Sequence, residues 1–300
     1  MTELLRIAPE VSEVLHEGGA VVALETTLIS HGFPPGVGEE VGLDSERSVR
    51  EAGAVPATVG VLDGEIRVGL TQSEIERFAA AGSEARKLGP RDLAACVVQG
   101  AIGATTAGAT TAVCRAAGIR FLGTGGLGGV HRGFPSPPDI SADLAELAGT
   151  ESLVVSSGVK SLLDVPATAE LLETLGVPVL GWRTVELPLF YSAGGGPPVS
   201  ARIESAEEAA LIAQAHWQLG RAGLLLARPP EETLDDLEPL IERAIAAAEE
   251  QGVGGQAVTP FVLGRLHEES GGRTIAANRQ LVAANAKLAA EVAVAFSAAR

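Results

Sequence analysis

Aromatic side chains are scarce in this chain: seven Phe, two Trp and one Tyr make up 3% of 300 residues. A protein that grips single-stranded nucleic acid needs stacking platforms, and few are supplied. The core must instead be built from Ala, Val, Leu and Ile, which suits helices packed on a sheet. Positive charge is short as well. Against 38 Asp and Glu stand 22 Lys and Arg, and the net charge of −16 repels nucleic-acid polymers and anionic membrane surfaces. A small anion remains a possible ligand, held by local basic groups and backbone amides.

Cysteine is nearly absent. Cys96 and Cys114 lie in alanine-rich segments without CxxC or Cys/His spacing, so both read as reduced core residues of a cytoplasmic protein. No apolar run reaches about 18 residues without a charge or glycine break, and MTELLRIAPEVSEVL lacks the pattern of a signal peptide. The expectation is a soluble, intracellular protein with no membrane partner.

Lysine is the most telling shortage. Of the 22 basic residues only Lys87, Lys160 and Lys287 are lysines. Arginine cannot lose its proton, so a chain that otherwise uses arginine should keep lysine where a deprotonatable amine matters. Lys287, with Glu291 one turn later, reads as a solvated helix face. Lys87 and Lys160 sit in less ordinary places.

What is present is concentrated between Ile119 and Asp143. There an apolar strand gives way to glycines, the pair His131–Arg132, a proline corner, and the carboxylates Asp139 and Asp143. Glycines permit close backbone approach to a ligand, and the polar groups suit a small anion. Gly123-Thr-Gly-Gly-Leu-Gly128 formally matches the dinucleotide pattern G-x-G-x-x-G. Three prolines within 135–138 forbid the helix which that fingerprint requires.

Elsewhere, Ala20–Leu24 reads as a buried strand ending on Glu25, a candidate acid or base or else a strand-end cap. PATVGVLDGEIRVGL predicts a hairpin turning at Asp63-Gly64, and Thr71 to Glu74 a capping box. Lys87 and Arg91 flank a Gly-Pro turn that is either solvated or anion-binding. GATTAGATTAVCRAAG predicts a helix with small hydroxylated residues crowding its start. In LVVSSGVKSLLD a strand leads to Lys160 at or near a helix start, where the dipole disfavours a cation and lowers the amine's pKa. LPLFYSAGGGPPVS is a Gly-Pro insertion, either a mobile cover or a spacer. Helices are predicted over 234–251, over 260–269 with Thr259 as cap, and from 274 to the C-terminus, the last carrying Asn278 and Asn285. Strands alternate with helices, and no linker or internal repeat interrupts them. The prediction is one domain over 1–300, a three-layer α/β/α arrangement with a central mixed, largely parallel sheet and a helical C-terminal part.

Taken together, ALETTLISHG, GAVPATVGVLDG, RKLGPRDL, GATT, TGGLGGVHRG, DISADL, SGVKSLLD and TPFVL resemble the pseudouridine-5'-phosphate glycosidase family, which includes the indigoidine-cluster proteins. The resemblance runs from about Ile7 to Phe296. It implies reversible cleavage of the C–C glycosidic bond of pseudouridine 5'-phosphate to uracil and ribose 5-phosphate, with Mn2+ or another divalent cation, in a homotrimer. It also implies that Glu25 is the proton donor, Lys160 the nucleophile and Asp139 the metal ligand. Substrate contacts are implied at Lys87, Ala107, Thr124, His131, Ser141, Ala142, Asp143 and Asn278. Ala107 stands where the family pattern has a larger β-branched residue, so side-chain packing on the substrate should be looser there.

A C-glycoside has no heteroatom leaving group, so protonating the glycosidic link accomplishes little. Opening the furanose with an acid and forming an imine on lysine makes the sugar carbon electrophilic, and arginine could not take that part. Two other readings share these residues: a lysine-imine lyase or aldolase acting on another sugar phosphate, and a non-catalytic sugar-phosphate binding protein.

Overall fold

The computed structural model describes residues 4–34, 36–133 and 139–299. The proline corner at 135–138 lies outside them. The described residues form eleven strands: β1 (Leu5–Ile7), β2 (Val21–Glu25), β3 (Val55–Leu62), β4 (Glu65–Val68), β5 (Arg86–Leu88), β6 (Gly103–Thr105), β7 (Phe121–Gly123), β8 (Leu153–Ser156), β9 (Val179–Trp182), β10 (Ala201–Ile203) and β11 (Leu224–Ala227). They join in one sheet in the order β1-β4-β3-β2-β7-β8-β11-β9-β10, with β6 added to β3 and β5 to β6. Only β3–β4 and β3–β6 are antiparallel, so the sheet is mixed and largely parallel, as expected.

Both faces are buried, which explains why β2 is apolar without alternation. Val22, Leu24, Phe121, Leu153 and Val155 face the helices Ala206–Gln218 and Arg273–Ala298, meeting Ala213, Trp217, Ala286, Ala289 and Phe296. Val21, Ala23, Leu122 and Val154 face the other way, onto a core that includes Val113, Leu144, Leu172 and Ile241. Those side chains come from the helices Ala107–Ala117, Ala142–Ala148, Val165–Thr174 and Glu238–Glu250. These are the three layers. Arg273–Ala298 is long and apolar enough by composition to cross a membrane, yet it packs along β2, β7 and β8.

The local predictions have clear outcomes. Asp63 and Gly64 adopt φ of 54° and 78°, the conformation a two-residue hairpin turn requires, and Thr71 and Glu74 form the capping box. Three predictions need correction. The GATT segment is split: Gly103–Thr105 is strand β6, and the helix begins at Ala107, with the Thr106 hydroxyl accepting from the Ala109 amide. Lys160 does not open a helix. It starts a turn closed by the Leu163 amide donating to the Lys160 carbonyl at 3.0 Å, and the helix begins only at Val165, capped by Asp164. The dipole argument for Lys160 therefore fails, because the field of a helix end acts within its first turn. Thr259 is not a cap either, since the helix Val258–Glu269 begins before it.

Candidate active site

Parallel strands carry their sites beyond their carboxyl ends, and here β2, β7 and β8 end side by side, with Leu24 opposite Gly123 and Gly123 opposite Val155. Glu25 closes β2. The Gly-rich stretch leaves β7, and the segment bearing Lys160 leaves β8. A cavity of about 490 Å³ opens there, lined by Glu25, Lys87, His131, Asp139, Ser141, Ala142, Asp143 and Lys160. Eight of the residues expected in the site thus share one space. Thr27, Arg91, Thr106, Glu146, Gly255 and Thr259 also line it.

Glu25 is 6% exposed and accepts a hydrogen bond from the Thr124 hydroxyl. Burial pushes its carboxyl above the usual range, against the opposing pull of Lys160 and of that hydrogen bond. Thr124 is itself fully buried. Its amide donates to the Val155 carbonyl, and its carbonyl accepts from the Asn285 carboxamide at 2.9 Å. Asn285 is therefore a brace between the segments that leave β7 and β8, donating also to the Gly125 carbonyl and the Ser157 hydroxyl.

Lys87 comes from β5, a three-residue strand held in register on β6, with Lys87 opposite Ala104. Burial first, and then the neighbouring charge of Lys160, lowers its amine to about 8. Lys160 reaches the same cavity from the turn after β8, its amide donating to the Leu127 carbonyl at 3.1 Å. A Cβ on Gly126 would stand 2.6 Å from the Phe190 ring and 3.3 Å from Lys160 Cγ, so that glycine makes room for the lysine stem. Phe190 and Tyr191 belong to the Gly-Pro insertion, are buried, and stack edge to face at 4.7 Å. That end of the insertion is anchored beside the site.

Ser141 caps the helix Ala142–Ala148 through the Asp143 amide. Asp143 is 5% exposed and its carboxylate is fully engaged: one oxygen accepts from the Gly108 amide at 2.8 Å, the other from the Gly128 amide at 2.9 Å. This clamp joins the start of helix Ala107–Ala117 to the Gly-rich stretch, and sequence reasoning missed it. The available signal was steric, since a Cβ on either glycine would run into Asp143. Ala107, Thr124 and Asn278 do not line the cavity. Ala107 is buried in the first turn of its helix. Asn278 is 4% exposed, and its carboxamide oxygen has no partner among the described residues.

His131 and Asp139 face each other, with Nδ1 3.8 Å from Oδ2 and the His131 amide donating to the Asp139 carbonyl. Burial lowers the His131 ring's pKa, against the pull of Asp139. No group of three His, Cys, Asp or Glu side chains is placed to hold a metal among the described residues. Asp143 is spent on amides, and Glu146 pairs with Arg115 at 3.1 Å. The partly exposed carboxylate of Asp139 fits only a hard divalent ion that keeps most of its waters.

A buried carboxyl poised above its usual range, two amines, an imidazole and a carboxylate in one cavity can transfer protons, bind a phosphate and form an imine. Comparison with known proteins narrows this list. The chain is 49% identical to a pseudouridine-5'-phosphate glycosidase of Herpetosiphon aurantiacus, over 99% of each chain. It is 44% identical to the one of Escherichia coli, over 97% of this chain and 95% of that one. Among solved structures it superposes with a TM-score of 0.88 on the prealnumycin C-glycosynthase AlnA in complex with ribulose 5-phosphate, at 41% identity and covering 99% and 98% of the two chains. An indigoidine synthase A-like protein of Thermotoga maritima gives the same TM-score at 38% identity, over 98% and 97%. The model of the indigoidine synthase A-like proteins matches residues 10–295, essentially the whole sheet and its helices, and the chain belongs to that family.

Proposed function

We propose that this protein cleaves the C–C glycosidic bond of pseudouridine 5'-phosphate reversibly, giving uracil and ribose 5-phosphate through an imine between Lys160 and the ring-opened sugar. The observation that carries the reading is the meeting of a buried acid, Glu25, with two of the chain's three lysines in one cavity. Binding a sugar phosphate needs a cation and amides; it needs neither a buried proton donor nor a second amine. The relatives named as pseudouridine-5'-phosphate glycosidases support the substrate, and the neighbour that binds ribulose 5-phosphate supports an acyclic pentose phosphate in such a site.

Glu25, whose carboxyl burial pushes above its usual range, donates to the furanose ring oxygen as the ring opens. The Thr124 hydroxyl holds that carboxyl in place. The Lys160 amine adds to C1'. Protonation at uracil C5 then lets the C–C bond break, and water hydrolyses the remaining imine to ribose 5-phosphate. Lys87, a cation below about pH 8, holds the 5'-phosphate together with the segment Ser141 to Asp143. Asp139 would hold a hydrated divalent cation, Mn2+ or a similar ion, which when bound supplies positive charge for substrate oxygens. By family resemblance, the working assembly is a homotrimer in the cytoplasm.

The test is uracil release from pseudouridine 5'-phosphate, followed by borohydride treatment with ribose 5-phosphate and mapping of the modified peptide. Adduct on Lys160 is expected. One observation favours a second assignment: the amine that burial depresses is Lys87. Adduct on the Lys87 peptide would exchange the roles of the two lysines. Activity without any uracil released would point instead to a lysine-imine lyase or aldolase on another sugar phosphate.

A further inference from the structure

The neighbours His131 and Arg132 part company in the fold. His131 lines the catalytic cavity, whereas the Arg132 guanidinium turns away and lines an adjoining cavity of about 510 Å³. There one nitrogen donates to the Ser161 carbonyl at 2.8 Å and another to Glu238 Oε1 at 2.7 Å. Ser161 follows Lys160 and is the second residue of the turn that carries it. Glu238 opens the helix Glu238–Glu250, which plants Ile241 and Ala244 in the core. The guanidinium therefore ties the outer side of the lysine's turn to a fixed element.

The inner side is tied separately, by the Lys160 amide on Leu127 and the Asp164 amide on Val130. Those bonds, with the Leu163 amide on the Lys160 carbonyl, hold the two ends of the turn, and the peptide plane after Ser161 is the one that Arg132 holds. A tilt of that plane shifts Ser161 and, through it, the side-chain bond of Lys160, and imine formation demands a reacting distance of about 3–3.5 Å. Arginine suits the task because its planar fork presents donors to two acceptors in fixed directions; lysine offers a single point charge.

We infer that Arg132, held by Glu238, is a positioning residue that aims the Lys160 amine at the sugar carbon. The inference rests on the reading of Lys160 as the imine-forming residue. Arg132 lines no part of the cavity that holds Lys87 and Asp139, so its removal should change the rate of bond formation and leave sugar-phosphate binding alone.

The experiment compares the unsubstituted protein with Arg132→Ala, Arg132→Lys and Glu238→Gln. Three quantities are read: affinity for ribose 5-phosphate, the rate of borohydride-trapped adduct by intact mass, and kcat against KM for uracil release. In Arg132→Ala, trapping and kcat should fall about 10- to 100-fold, with affinity and KM within about twofold. Arg132→Lys should recover part of the loss, added guanidinium should restore Arg132→Ala in part, and Glu238→Gln should lie between. Equal trapping rates in Arg132→Ala and the unsubstituted protein would overturn the inference. So would a parallel loss of affinity and melting temperature that guanidinium does not restore, because Arg132 would then only hold the fold together. Uracil release without any trapped adduct in the unsubstituted protein would overturn the imine reading itself, a result separate from the behaviour of the variants.

Discussion

Glu25 and Lys87 hold ionisable groups where burial resists charge, and the signs of their shifts are stability statements. For Lys87 the amine falls from 10.5 to about 8, so between those values the unfolded chain binds more protons and stability rises with pH. For Glu25 the carboxyl rises above 4.5, so the folded chain binds more protons there, and its contribution, full below pH 4.5, is lost as pH climbs through the folded value. Near neutrality the ligand-free protein therefore bears the cost of a site prepared for a phosphate. Replacing Lys87 by Met removes a desolvated charge, and the expectation is a melting temperature higher by about 2–4 °C. The same variant should show a KM for pseudouridine 5'-phosphate raised at least about tenfold, because a charge-assisted contact to phosphate is lost. Calorimetry and initial rates check the two halves, and a lower melting temperature would refute the cost. In the unsubstituted protein KM should climb as pH passes about 8, the value to which Lys87 is lowered. Lys160→Ala should abolish turnover while ribose 5-phosphate still binds, read by uracil release and titration calorimetry.

Elements place these side chains, and their legibility in the sequence followed their length. Glu25 was readable because β2 is a five-residue apolar run that ends on it, and the Asp63-Gly64 turn because only such residues suit its backbone. Strands β5, β6 and β10 have three residues each, too few for any periodicity to show, so in the sequence Lys87 reads only as flanking a Gly-Pro turn. SGVKSLLD looks like a glycine opening a helix at Lys160, whereas the Leu163 amide closes a single turn on the Lys160 carbonyl and the helix begins only at Val165. The Asp143 clamp was invisible because it joins residues 15 and 35 positions apart. Asp143→Ala would leave two buried amides unpaired, and a loss of about 2–5 kcal/mol is expected. Urea denaturation checks this, and an unchanged midpoint would show that water replaces the carboxylate.

At the scale of the whole molecule, two electrostatic fields act on an anionic substrate. A net charge of −16 repels a phosphate at a distance, whereas Lys87 attracts it only within the cavity. Salt acts on the two unequally. The Debye length shrinks from about 30 Å at 0.01 M to about 8 Å at 0.15 M, which removes the long-range repulsion, while a partly buried contact is screened much less. Most enzymes with anionic substrates surround the site with positive charge and lose kcat/KM as salt is added. Here the opposite is expected: kcat/KM for pseudouridine 5'-phosphate should rise about two- to fivefold between those salt concentrations at fixed divalent ion, through KM and not kcat. Initial rates in a potassium chloride series measure it. A fall of kcat/KM over that range would mean that the local field of Lys87, Arg91 and Lys160 extends beyond the cavity mouth and governs the approach.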